Sequence, residues 1–128
     1  MTVAFWCLLV ACLLPIITAW VCGYFRAKQL GNVDNKHPRA QYAQLEGAGA
    51  RAFAAQQNAW EALPIFTAAV LVASVSGVAP AQSATPALVF IAARILYPIF
   101  YIANKDLLRS LAFIVGLGAC ISLFIMAA

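Results

Sequence analysis

Apolar residues run from Val3 to Phe25 with only Pro15 to disturb a helix, and further hydrophobic segments cover about 47–76, 87–104 and 107–127. Each is close to the ~20 residues that a helix needs to cross a hydrocarbon core. None alternates as a membrane β-strand would. The pattern predicts an all-α, polytopic membrane protein: one domain over residues 1–128, folded as a four-transmembrane-helix bundle. The first segment has no basic leader and is too long for the apolar core of a signal peptide, so it reads as a spanning helix.

The connections are short. Arg26 to Glu46 is the strongly polar stretch, and Gly31-Asn32-Val33-Asp34-Asn35-Lys36-His37-Pro38 predicts a loop by its turn chemistry. Ala79 to Pro86 carries no charge and predicts a turn. Pro98 predicts a kink in the third span. The fourth span begins after Lys105-Asp106.

Composition agrees with this reading. The chain is 65% hydrophobic and 9% charged, with a mean hydropathy of +0.90. A water-facing surface ordinarily needs roughly 25% charged residues. Large water-soluble catalytic domains, zinc modules and nucleic-acid readers are excluded. The net charge of +4 does not mark a nucleic-acid partner, because the cations sit in connections. Arg26, Lys28, Lys36 and Arg39 lie between the first two spans, Lys105 and Arg109 flank the last connection, and the middle turn has none. Positive loops stay cytoplasmic, which places both termini on the non-cytoplasmic side. Cys7, Cys12, Cys22 and Cys120 form no C-x-x-C pair and read as small apolar packing residues.

Several polar groups fall where lipid should be. The second span contains Arg51, Gln56, Gln57, Asn58 and Glu61 before its apolar half, and Glu61 lies ~22 Å from the far end. The third span contains Arg94, Tyr97, Tyr101 and Asn104. A central ion costs roughly 2.5–3.5 kcal/mol to insert, so such groups must pair or be used. Helical geometry gathers Arg51, Asn58 and Glu61 into an ~80° sector and leaves Gln56 and Gln57 on flanking faces. Arg94, Tyr97, Tyr101 and Asn104 form a second ~80° stripe. Both stripes must face protein or a wet cavity. Guanidinium forks, an amide, an acid and phenols suit a small polyanionic, peptide-like ligand rather than a metal. The alternative is an interhelical Glu61–Arg94 ion pair, with Asn58 and the tyrosines completing its hydrogen bonds.

Other features are plain. His37 reads as a solvated loop residue. Gly47-x-Gly49 follows no strand and is no nucleotide fingerprint. Gly47 to Ala55 and Gly116 to Cys120 read as small-residue helix packing. Trp6, Trp20 and Trp60 fit either interfacial anchors or core.

The segment from Arg51 to Phe66 resembles the second-helix signature of the MAPEG family, the membrane-associated proteins in eicosanoid and glutathione metabolism. Asn58, Glu61, Pro64 and Phe66 reproduce its N-x-x-E-x-x-P-x-F core, and Arg94-x-x-Tyr97-x-x-x-Tyr101 resembles its third-helix pattern. Four helices, a polar first loop and a length near 130 extend the likeness over nearly the whole chain, which resembles a bacterial-type member of the inner membrane. The resemblance implies a homotrimer with glutathione as co-substrate, bound between neighbouring subunits near the cytoplasmic side. It implies Arg51, Gln56, Asn58, Glu61, Arg94, Tyr97 and Tyr101 as the glutathione-binding residues, with arginines on its carboxylates and Glu61 on its γ-glutamyl amine. It implies that Arg109, one residue off the usual spacing, lowers the thiol pKa as the catalytic residue. Ala54 stands where many glutathione-using members carry arginine.

The function implied is a glutathione-dependent transferase or peroxidase acting on a lipophilic electrophile from the bilayer, through an activated thiolate. Two alternatives stand beside it. One is a non-catalytic membrane subunit or interaction protein whose polar stripes join helices. The other is a small proton-coupled exporter, although such transporters usually carry their acid on the first helix, which has none here.

Overall fold

A computed structural model describes residues 1–128 and contains five helices: α1 Val3–Leu30, α2 Pro38–Gln44, α3 Gly47–Val75, α4 Pro80–Ile102 and α5 Asp106–Ala127. All but α2 are long and apolar enough to cross a membrane. Thr2 caps α1, its hydroxyl accepting from the Phe5 N–H at 3.3 Å. The helix runs past Phe25, where the apolar pattern ends, because Arg26, Lys28 and Gln29 are adequate helix formers. It stops at Gly31, which takes φ +81° and donates to the Ala27 carbonyl.

The turn expected over 79–86 is shorter than its sequence suggested. The α3 helix ends with Gly77 at φ +82° and Val78 donating to the Ala73 carbonyl at 3.0 Å. The next helix then starts at once, with Pro80 in its first turn, where a missing N–H costs nothing. Pro86 and Pro98 both lie inside α4. Asn104 is likewise not part of the stripe on that helix. It sits beyond the end of α4 at φ +60°, and Lys105 donates back to the Phe100 carbonyl at 2.8 Å. Asparagine tolerates that left-handed conformation better than most residues, so Asn104 is a helix stop.

Packing follows the small residues. α1 lies against α3 and α4, and α5 against the same two helices. At the centre Phe66 and Phe90 stack with centroids 3.9 Å apart, both buried, and alanines with Cys7 and Cys120 fill in around them. Trp6, Trp20 and Trp60 all stay on the outside, so none is core. The outer surface carries many exposed leucines, isoleucines and valines, as a lipid-facing bundle requires.

The polar stretch between the first two spans is an ordered cap. Arg26, expected in a cationic loop, is buried on the last turns of α1. Its Nε donates to Gln41 Oε1 at 2.7 Å and its Nη2 to the Asp34 carbonyl at 2.8 Å. Gln41, also buried, accepts from the Asp34 N–H and donates to both oxygens of Asn32. Arg26 lies 5.1 Å over the Tyr42 ring, and that ring stacks on Phe53 of α3 at 4.5 Å. Gln29 exchanges two 3.0 Å hydrogen bonds with the Glu46 backbone. One buried guanidinium thus ties α1, the loop and α2 together, and Tyr42 carries the tie to α3.

Replacing Gln41 with leucine leaves Arg26 buried without its side-chain acceptor. We expect a loss of about 1–3 kcal/mol, read as a lower thermal midpoint in detergent. The exposed Asp34 carboxylate accepts from the backbone N–H of Lys36 at 2.8 Å and lies 3.3 Å from His37 Nδ1. The Lys36 amide first, then His37, holds its acid below the ordinary value. This contribution is complete above the unfolded pKa and disappears as pH falls through the lowered folded one. The protection of the Lys36 and His37 amides, their exchange relative to the intrinsic rate at each pH, should therefore hold through pH 5 and be lost only below the ordinary carboxylate range of about 4.

Candidate functional site

The polar faces of α3 and α4 meet across a cavity of about 220 Å³. Asn58 and Glu61 reach it from α3, Arg94 from α4, and Phe113, Gly116 and Cys120 from α5. Gly116 lies at the closest approach of α5 to Arg94 and Phe90 in this cavity, with room for a methyl group. A Cβ there would already touch Arg94 Cδ at 3.7 Å and Phe90 at 3.8 Å, so a longer side chain would enter the cavity. The sequence marked Gly116 and Cys120 only as small packing residues, and nothing in it signalled that Phe113 lines the site.

Within the cavity the polar groups are incompletely paired. Asn58 Nδ2 donates to Glu61 Oε2 at 3.1 Å, one turn along the same helix. Its Oδ1 is buried and has no partner. Arg94 is only 4% exposed, yet its guanidinium makes no hydrogen bond and lies 4.3 Å over the Tyr97 ring. No ion pair joins it to Glu61; the one close ion pair is His37–Asp34, on the surface. The Glu61–Arg94 bridge weighed as an alternative is therefore not formed. Glu61 itself stays exposed on the outside of the chain.

A neighbouring cavity of about 300 Å³ is lined by Tyr97, Arg109 and Ser110, and shares Asn58 and Phe113 with the first. Arg109 lies 4.5 Å over the Tyr101 ring, and Tyr101 meets Tyr97 edge-on at 5.7 Å. Together the two chambers present an acid, an amide, two guanidinium groups, a phenol and a hydroxyl. That set can hold a zwitterionic, anionic molecule and favour negative charge at its far end.

Three expected residues, Arg51, Gln56 and Tyr101, lie outside both chambers. Arg51 donates through Nε and Nη2 to the Ile102 carbonyl, at 3.3 and 3.1 Å, and so clamps α3 to the C-terminal end of α4. Cationic groups are favourable at that end, which accounts for its place. Gln56 faces a different hollow of about 440 Å³, with Arg39 and Tyr42 of α2 and Gln57 and Trp60 of α3. That face is roughly a third of a turn round the helix from Asn58 and Glu61. The fold therefore brings Asn58, Glu61, Arg94, Tyr97 and Arg109 together in one chain and leaves Arg51, Gln56 and Tyr101 outside the two chambers.

The family model described as the MAPEG family matches residues 3–128, essentially the whole chain. No curated protein and no solved structure matches it.

Gly116→Ala should fold with a thermal midpoint within a few degrees of the wild type, since the added methyl makes only ordinary contacts. Gly116→Leu should fill the inner chamber or push α5 from α4. It should lower the midpoint by an amount equivalent to about 1–3 kcal/mol. Melting curves of the two variants in one detergent decide this.

Proposed function

Because the chain belongs to the MAPEG family of integral membrane proteins, we propose that it is a glutathione-dependent transferase or peroxidase acting on lipophilic electrophiles. One observation carries the reading: Arg94, a buried residue whose guanidinium makes no hydrogen bond, lines the same cavity as Glu61 and Asn58, and Asn58 Oδ1 has no partner. A ligand that satisfies both must bring a donor and an anion close together. The γ-glutamyl end of glutathione does so, with its ammonium toward Glu61 and Asn58 Oδ1 and its carboxylate toward Arg94.

Its thiol then points to the chamber of Tyr97, Arg109 and Ser110. The Arg109 charge favours the thiolate over the thiol, and the released proton goes to water. In the transferase reaction the sulfur attacks the electrophilic carbon, a carbon–sulfur bond forms, and any leaving group departs with its electron pair. The lipophilic partner enters from the bilayer side, past Ile65 and Leu117.

The exposure of Glu61 supports assembly as a homotrimer. A carboxylate at that depth needs a covering that its own chain does not supply. Gln56, Gln57 and Arg39 form a separate polar face, as a head-to-tail ring needs for contact with its neighbour's open site. The implied placement of Gln56 in the site is then met from the adjacent protomer. The distribution of Lys and Arg supports a bacterial inner-membrane orientation with both termini on the non-cytoplasmic side. Ala54 favours a second reading, a non-catalytic subunit that binds without turnover.

Millimolar glutathione should raise the thermal midpoint of the detergent-purified protein. Arg94→Met, which removes a buried charge without a partner, should fold normally yet weaken binding by at least about tenfold. An unchanged midpoint in the wild type would overturn the proposal. Binding without conjugation of an aryl halide would select the non-catalytic subunit. Light scattering of the same sample reads the oligomer mass.

A further inference from the structure

Prolines stand inside three of the spanning helices: Pro15 in α1, Pro64 in α3, and Pro86 and Pro98 in α4. Each lacks the N–H that would donate to the carbonyl four residues before it. The carbonyls released in this way belong to Ala11, Trp60, Gln82 and Arg94. Trp60 and Gln82 are exposed, whereas Ala11 and Arg94 are buried. Inside a membrane a carbonyl that loses its helical donor must find another, from a hydroxyl side chain or an ordered water. Thr18 supplies such a hydroxyl on α1, but it donates to the carbonyls of Leu14 at 2.9 Å and Pro15 at 3.1 Å, one turn past Ala11.

Ala11 and Arg94 line one small cavity of about 10 Å³ between α1, α3 and α4, together with Leu14, Ala59, Leu63 and Phe90. Its size is that of a single water-sized sphere, which excludes any larger guest. Arg94 also lines the chamber of about 220 Å³, and its guanidinium makes no hydrogen bond within the protein. We propose that the small cavity is a binding site for one ordered water, which accepts from the Arg94 guanidinium and donates to the Ala11 and Arg94 carbonyls. Three bonds are the usual number for a buried water, and an apolar void of this size would stay dry. The water joins α1 to α4 and gives the buried cation an acceptor that carries no charge. One donor is used in this way, and the rest of the fork stays free for the larger chamber. The site does not depend on which ligand that chamber takes.

X-ray radiolysis of the full chain in detergent tests this, because hydroxyl radicals made from a bound water oxidise the side chains that touch it. Leu14 and Leu63 line the cavity and are half-buried, while Leu13, next to Leu14 on α1, is 45% exposed. In oxygen-18 water, Leu14 and Leu63 should take up label at least about threefold faster than Leu13, the reverse of their exposure. Pro15→Ala returns an N–H to the Ala11 carbonyl and should cut uptake at Leu14 by at least about half, with Leu13 unchanged. Label that is equal at the three leucines, or greater at Leu13, means a dry void and overturns the proposal. Full uptake at Leu14 in Pro15→Ala also overturns it, since the water would then not be held by that carbonyl. If Pro15→Ala fails to fold, the comparison within the wild type decides alone.

Discussion

A charged side chain on a spanning helix cannot face acyl chains, and the bundle is arranged around that restriction. Glu61 and Arg94 are the ions on the central parts of α3 and α4, and each would cost roughly 2.5–3.5 kcal/mol in hydrocarbon. Their helices turn these faces toward a common cavity, which α5 closes with Phe113, Gly116 and Cys120. Arg94 is not neutralised there by the nearest acid. It lies on the Tyr97 ring, a contact that offsets part of its desolvation and leaves its donors unspent. A bundle optimised only for stability would replace such a group with an apolar one.

The end of the bundle that carries α2 handles its charge in the opposite way. Arg26 is as deeply buried as Arg94, but its donors go to Gln41 and the Asp34 carbonyl, and Gln41 is in turn saturated by Asn32 and Asp34. The role of this network is structural, since it fixes α2 against α1 and, through the Tyr42–Phe53 stack, against the first turns of α3. Arg51 does similar work one layer in, closing α3 onto the last carbonyl of α4. Of the four guanidinium groups inside or near the bundle, the two that are hydrogen-bonded, Arg26 and Arg51, hold helices together. The two without a hydrogen bond, Arg94 and Arg109, line the two chambers.

That contrast explains what could be read in the sequence. Spans were legible because burial in lipid demands long apolar runs, and Asn58, Glu61, Arg94 and Tyr97 were legible because helical period alone gathers them on two faces. Helix ends were not. Apolarity stops at Phe25 while α1 continues to Leu30, since hydropathy follows the membrane and the helix follows backbone propensity and Gly31. Pro80 opens a helix where an uncharged, proline-bearing stretch suggested a turn. Asn104 fell on the stripe by angle, but a left-handed residue ends the helix before it. Arg26 and Arg51 looked like site or loop cations because a sequence shows charge and not its partners. Phe113 on α5 carried no sign at all, as one apolar residue among many on an apolar helix.

The two ions of the cavity also differ in a way that bears on assembly. Arg94 is enclosed by its own chain, whereas Glu61, on the next helix, remains open to the outside. Enclosure on one side only is what a site at a subunit boundary needs: the inner wall is built by the fold, and the outer wall arrives with the neighbour. The reverse face of α3 is equipped accordingly, with Gln57 and Trp60 exposed and Gln56 half-buried beside Arg39, none of them turned toward the chain's own cavity. A lipid-facing surface has no use for two amides at that level, and the chain's own core does not reach them. The uncovered acid and the unclaimed amides are thus two polar faces of α3 that the single chain leaves without partners.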